Sequence, residues 1–519
     1  MNANIPGPEH SANESLRGRT LLIFILFAIE MLAIDFLKLP DIMAFDRYAF
    51  CDTGANLTLQ YLISHGLTPT VDFGYHYGLL PILIGRIWFT LIGRTPIAYQ
   101  ALMVACDLVI AWSIARITAI LRFSATSLAL TAITLGFAVQ ATYPSLAHAV
   151  EAVLLVSALA YQARGSRPSA LAFTCAAVFA KPSMGYVYSL VLLIAIVGQR
   201  WRAWAKLDGW IREFAPAVAT GTALILVLGI IYGPVALVRT VIPIEGLINY
   251  RAMNFGFFTG AGREFWNPHS MPWLFYLVDF SGFWIVGTLF LICSGGAAIF
   301  YLATRADDPE FEARRNEIIA TCAVLHVAFV TLFFGNQWSW IYYAYFLTIG
   351  VAAAPGASAI QRRVTIALCV VGIMAWTHEF RLDRRWWNTR EPDAVTAGLW
   401  ASSDERDEWQ RVLDSVHSRR ATMLDTKGAA ELMFPEFEAP VSLFLDAGLM
   451  KPDEIQRKVT QMSDAQVVVV PANIWIEACR GIPAAPEFET ALKRFEPRMK
   501  GKFFDVYQRP SSPNSPASR

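Results

Sequence analysis

Apolar runs of about twenty residues recur along this chain, and each is long enough to cross the hydrocarbon core of a bilayer as a helix. They fall near 20–37, 97–121, 124–143, 146–163, 214–232, 274–303, 317–335, 339–357 and 364–380. In water so many unpaired apolar faces would aggregate. The composition agrees: 55% of the 519 residues are hydrophobic and 16% are charged, with a mean hydropathy of +0.41, which points to a bilayer as solvent. The net charge of +1 gives no pull toward nucleic acid. The first run follows Arg17 and Arg19, has no small-residue cleavage site and contains Glu30 and Asp35. It therefore reads as a retained anchor.

Two segments decide the topology. Ser169 to Gly198 is too long for one upright span and is interrupted by Lys181-Pro182, so it reads as two crossings with an outer turn at the lysine. That count puts Arg17/Arg19, Arg116/Arg122, Arg164/Arg167, Arg200/Arg202, Arg305/Arg314 and Arg362/Arg363 on one face, as the positive-inside rule requires. Gly78 to Ile92 is apolar but short, and counting it as a span would reverse every later basic loop. It reads as a juxtamembrane helix lying in the outer interface. The expectation is an α-helical polytopic membrane protein with about eleven transmembrane helices and a small C-terminal α/β domain outside the membrane. The N-terminal tail, 1–19, is cytoplasmic and the membrane domain covers 20–380. Its large external loops are 38–96 and 233–273.

Beyond Arg381 the composition changes. Polar helical stretches (Asp404 to Arg419, Pro452 to Met462) alternate with short apolar strands (Gln466 to Val470, Lys502 to Tyr507), the pattern of a small α/β unit over 381–509, and the Ser- and Pro-rich end, 510–519, reads as disordered. Five of the seven cysteines lie in apolar stretches. Cys51 and Cys479 fall on the outer side, where two free thiols and a bridge are both open readings.

The most specific text is in the first external loop: Cys51-Asp52-Thr53-Gly54, Gly66, Pro69, Asp72-Phe73, then Tyr75-His76-Tyr77-Gly78-Leu79-Leu80-Pro81. This order resembles the GT-C superfamily of membrane glycosyltransferases, the group containing protein O-mannosyltransferases and the aminoarabinose transferase. Bacterial members often read Asp-Glu-Gly, a helix, Gly, Pro-Tyr, Asp-Phe and Tyr-Gly-Pro. Asp52 and Asp72 stand twenty residues apart, as in that pattern, and Ala180-Lys181-Pro182-Ser183 matches a frequent Thr-Lys-Pro. Thr53 and Thr70 depart from it, standing where the family has Glu and Tyr.

The resemblance implies transfer of a sugar from a polyprenyl-phosphate donor to an acceptor hydroxyl on a glycan, lipid or protein, usually with inversion, at the outer face of a bacterial inner membrane. Such chemistry needs a carboxylate to take the acceptor proton and cationic groups to hold the leaving phosphate. Asp52 is the candidate base; a plain N-cap of the following helix is the alternative. Lys181 is the candidate phosphate ligand, against simple snorkelling to headgroups. Asp72, His76 and Tyr77 are substrate-contact candidates from the motif, with Asp72 first of all a turn residue. His148 and Glu151 share a helix face and read as a metal site or acceptor contact, or as a self-satisfied buried pair. Arg251 and Arg263 are candidates to close over a donor phosphate. Asp46 is a candidate second carboxylate or metal ligand, and the need for a divalent metal stays open. The other function classes are a transporter or flippase of a lipid-linked glycan, and a GT-C-like subunit without catalysis.

The topology is directly testable. With Cys51 and Cys479 replaced, a cysteine at Ser415 should react with a membrane-impermeant maleimide on intact cells and one at Arg202 only after permeabilisation. The reverse pattern would invert the assignment.

Overall fold

The computed structural model describes residues 8–142, 145–202, 207–242, 280–304, 310–333, 344–354, 362–374, 377, 389–424, 428–443, 450–471 and 486–510. Helices lie over every apolar run named above. These are α1 (Pro8–Leu37), α6 (Pro96–Ile120), α7 (Ala125–Thr142), α8 (Leu146–Ala163), α9 (Arg167–Val178), α10 (Pro182–Arg202), α11 (Leu207–Tyr232), α13 (Phe280–Thr304), α14 (Glu310–Phe333), α15 (Ala344–Ala353) and the unlabelled stretch 362–374. Among the described residues five helices are long and apolar enough to cross a membrane: Glu14–Leu37, Pro96–Ile120, Leu146–Ala163, Asp208–Tyr232 and Val286–Thr304. Their outer faces are apolar and uncovered, as at Leu22, Leu26, Ile29, Leu226 and Ile230. Such faces would cost about 25 cal/mol per Å² in water and nothing in lipid, so this is a membrane protein by its surface as well as its helix lengths.

The interrupted segment is two helices. α9 ends at its C-cap Phe179, and α10 restarts with Pro182 in its first turn, where the missing N–H goes unneeded. Between membrane helices run short ones: α2 (Leu39–Ile42), α3 (Phe45–Phe50), α4 (Asp52–Ser64), the apolar α5 (Leu79–Ile92) and α12 (Pro234–Val241). The spacing predicts that the fourth begins after Asp52. In the structure the extended Cys51 is the N-cap and Asp52 the first helical residue, so Asp52 does not cap it. The helix ends where Gly66 takes φ +84°.

The described residues between 390 and 508 form strands and helices packed on the first loop. β1 (Arg390–Pro392) pairs antiparallel with β2 (Trp400–Ser402). A four-stranded sheet has the order β3 (Ala421–Met423), β4 (Val467–Pro471), β6 (Phe504–Gln508), β5 (Glu496–Lys500), parallel between β3 and β4 and antiparallel elsewhere. Its helices are α16 (Ser403–Val416), the short α17 (Ala430–Met433), α18 (Pro452–Asp464) and α19 (Pro486–Leu492). A parallel pair needs a crossover, and α18 lies within it. α16 opens with a full capping box, Ser402 with Glu405.

The join to the first loop is dense. Trp409, fully buried, packs with ring centroids 5.3 Å from Phe45, 5.7 Å from Phe50, 4.9 Å from Phe434 and 5.0 Å from Phe504. Beside it Arg390 bridges Asp46 at 3.2 Å and Glu405 at 3.3 Å. Glu454 accepts N–H bonds from Gly74 and Lys451 on one oxygen and from Leu443 on the other, and Arg457 donates to the carbonyl of Asp72. Burial pushes the Glu454 carboxyl up to about 7, against the opposing pull of those N–H groups and Arg457.

Trp409→Ala should therefore cost about 3–5 kcal/mol and release both partners. Limited proteolysis should open sites in 38–52 as well as in 390–508. Cleavage confined to 390–508 would show that the loop stands without this contact.

Candidate active site

The site is built where the loop after α1 meets the turn between α9 and α10. The Gly78 N–H donates to Ala180 O and the Leu80 N–H to Phe179 O, both at 2.9 Å. These bonds are possible because residue 78 has no side chain: a Cβ there would lie 1.9 Å from Phe179 O. The Tyr75 hydroxyl reaches Gly78 O at 3.3 Å and steadies the approach. Two motif segments about a hundred residues apart in sequence are thus held in register.

The turn delivers Lys181 onto the start of α8. Its Nζ stands 3.2 Å from His148 Nδ1 and 3.9 Å from Glu151 Oε2, and His148 Nδ1 is 4.0 Å from the same oxygen. Glu151 is 1% exposed and Lys181 13%, so a carboxylate and an ammonium balance each other in a place too dry to hold either alone. The contact to the ammonium uses His148 Nδ1 as acceptor, which keeps that ring neutral while the lysine is charged. The Tyr77 ring meets the same histidine edge-on at 5.7 Å, inclined by 66°, with the His76 ring 5.5 Å from Tyr77. Tyr345 of α15 lies within electrostatic reach of Glu151.

Asp52 is exposed, in the first turn of α4, where the helix macrodipole favours negative charge. It neighbours Tyr99, whose hydroxyl also takes a bond from Asn56 Nδ2 at 3.2 Å and bonds the backbone of Leu146 in the first turn of α8. A short polar path thus connects Asp52 to the helix that carries His148 and Glu151. Gly54 explains the glycine of the Asp-Thr-Gly motif: a Cβ there would stand 1.7 Å from Tyr48 O, so only glycine lets α3 and α4 fold together. Thr53 is buried at 5%.

Of the residues the sequence singles out, Lys181, His148, Glu151, Tyr77 and His76 come together. Asp72 does not join them. Its Oδ2 accepts the Thr68 N–H at 2.7 Å and closes the 68–72 turn, as its composition suggests. Asp46 is already engaged: its Oδ1 accepts the backbone N–H of Arg47 at 3.0 Å and the Arg390 guanidinium at 3.2 Å. That donor set suits an ion pair and does not suit a divalent cation. Among the described residues no three His, Cys, Asp or Glu side chains gather where a metal ion would sit. Arg251, Arg263 and Cys479 lie outside the described residues.

Sequence reasoning passed over Tyr99, Tyr345 and Arg86. The first two are hidden in apolar helices where a tyrosine reads as core. Arg86 carried a signal, a lone cation in the apolar run 79–92.

Helices, surface and site define a polytopic helical membrane protein with a polar, ion-paired site where the 38–96 loop meets a broken helix pair. Among solved structures, the crystal structure of ArnT from Cupriavidus metallidurans bound to undecaprenyl phosphate aligns over 95% of this chain and 99% of that one. The identity is 13% and the TM-score 0.37, a likeness too weak to carry an argument. No family model and no curated protein matches the sequence.

Gly78→Ala tests whether the loop docking builds the site. It should keep the protein in the membrane yet free Lys181, which would then react with an amine-selective reagent at least tenfold faster than in the wild type. An unchanged rate would mean that the docking does not shape the lysine's surroundings.

Proposed function

We propose that this chain is a GT-C-type membrane glycosyltransferase that moves a sugar from a polyprenyl-phosphate donor to an acceptor hydroxyl at the outer face of the inner membrane. The observation that carries the reading is the convergence of its motif segments. The Tyr77-Gly78 stretch and the Lys181-Pro182 turn, recognised separately in sequence, are bound to each other by the two backbone hydrogen bonds at Gly78 and Leu80. This is also where a lipid-linked donor would present its phosphate, if the turn faces the outer surface as the basic loops imply.

In this reading Asp52 takes the proton of the acceptor hydroxyl as that oxygen attacks the anomeric carbon. The bond from that carbon to the phosphate oxygen breaks, and the phosphate leaves with the electron pair. Lys181 meets the growing negative charge, and its exchange of Glu151 and His148 for phosphate oxygens needs little movement because it sits on a short turn. His148 and Glu151 hold the ammonium charged and aimed before the donor arrives. The eleven-span topology, an external 390–508 unit and the inverting stereochemistry belong to the same proposal. Arg251 and Arg263 keep their proposed place as donor-phosphate contacts.

A second reading, a GT-C-like subunit without catalysis, is favoured by one observation: Thr53 stands where the family pattern has a second carboxylate, and it is buried. Asp52→Asn separates the two. It keeps size and most hydrogen bonding but removes basicity, so it should lower sugar transfer about 10²-fold or more with normal membrane expression. Transfer equal to wild type would remove Asp52 as the base and leave the non-catalytic reading standing.

A further inference from the structure

Away from Lys181, the far half of α5 carries a second arrangement that the transfer reading does not use. Arg86 lies seven residues beyond Leu79, roughly 10 Å along the helix axis. It lines two adjoining cavities. One, of about 370 Å³, is polar, with Gln60, Ser64 and Thr90 and a second guanidinium, Arg94, on its rim. The other, of about 650 Å³, is an apolar groove between α5 and the end of α11, walled by Leu83, Ile87, Leu91, Ile230 and Ile231. Leu91 is 75% exposed and Ile230 82%, so the groove opens onto the lipid-facing surface.

The charges are unbalanced. Arg94 donates to Ser64 Oγ at 3.1 Å and stands 5.2 Å over the Tyr61 ring, and Arg86 lies against the Tyr232 hydroxyl. Among the described residues neither guanidinium meets a carboxylate within ion-pair distance. Two cations converging on one polar cup, with a hydrocarbon-lined groove leaving it through Arg86 and Thr90, match a molecule with an anionic head and an apolar tail. Arginine presents a donor fork suited to phosphate oxygens, and one helix face offering both a cup and a groove sets head and tail at a fixed spacing.

We propose that α5 and the residues just past its end bind an anionic bilayer phospholipid, its phosphodiester held by Arg86 and Arg94 and one acyl chain lying in the groove against Ile230 and Ile231. The lipid would fasten the juxtamembrane helix to α11 and so support, from behind, the loop whose Gly78 docks on the Lys181 turn. The inference rests on the α5–α11 geometry and not on the transferase reading, and its test needs no enzymatic activity.

The experiment is native mass spectrometry of the full-length protein released from detergent, after exchange into equal mixtures of phosphatidylglycerol and phosphatidylcholine with matched chains. Wild type should retain one phosphatidylglycerol at least tenfold over phosphatidylcholine, and Arg86→Gln/Arg94→Gln should lose that preference while melting as wild type does in lipid-free detergent. Inorganic phosphate and glycerol phosphate should not displace the lipid, because they have no tail for the groove. No preference in the wild type, or a preference unchanged in the double variant, would overturn the proposal. If the double variant fails to fold, Leu91→Glu in the wild-type arginine background provides the second arm, since a carboxylate in the groove should expel the acyl chain and abolish retention; full retention there would also overturn it. Preferential capture of a polyprenyl phosphate over phosphatidylglycerol would reject the phospholipid and mark the cup as a donor subsite.

Discussion

Two backbone hydrogen bonds, from Gly78 to Ala180 and from Leu80 to Phe179, are the constraint on which the site depends. Net, such bonds contribute only about 1 kcal/mol each, but here they fix position. They set the end of the 38–96 loop against the break between α9 and α10, where a lysine is available. Remove the glycine and the loop must rise by more than an ångström, because a Cβ and a carbonyl oxygen cannot share that space. Everything downstream inherits the placement: the Tyr77 ring on His148, the start of α5, and the direction from which a head group would approach Lys181.

The second constraint is electrostatic. A lysine and a glutamate in a dry bundle are tolerated only together, and His148 Nδ1 stands 3.2 Å from the ammonium beside them. In the proposed transfer the ammonium would trade its 3.9 Å contact with that carboxylate for a phosphate oxygen. Around this centre the 390–508 unit acts as a clamp. Trp409 and Arg390 hold α3 and Glu454 holds Gly74, so the loop is long in sequence yet has little freedom. Length of loop costs entropy only slowly, and this one recovers it through contacts with residues more than three hundred positions away.

Much of this was readable from residue types. The hinge at Lys181-Pro182 was legible because proline stops a helix without help from its surroundings, and the shared face of His148 and Glu151 follows from helical spacing alone. The strands near 467–471 and 504–508 and the helix at 452–464 lie close to where alternation puts them. What could not be read were partners distant in sequence. Asp46 looks like any loop carboxylate until Arg390 is folded against it, and nothing near Lys181 in sequence announces Glu151. Asp52 moved by one place, from cap to first helical residue, a boundary that backbone angles decide and composition does not. Arg86 announced itself by being alone in an apolar helix, yet its meaning required α11.

The most direct test of the central claim is to change the cation itself. Lys181→Met keeps the length and apolar stem of the side chain and removes the charge. With membrane insertion and the 390–508 clamp intact by proteolysis, sugar transfer from a polyprenyl-phosphate donor should fall at least a hundredfold, and Lys181→Arg should recover part of it. Transfer at the wild-type rate in Lys181→Met would contradict the account, because the site assembled by the loop docking would then have no part in the reaction.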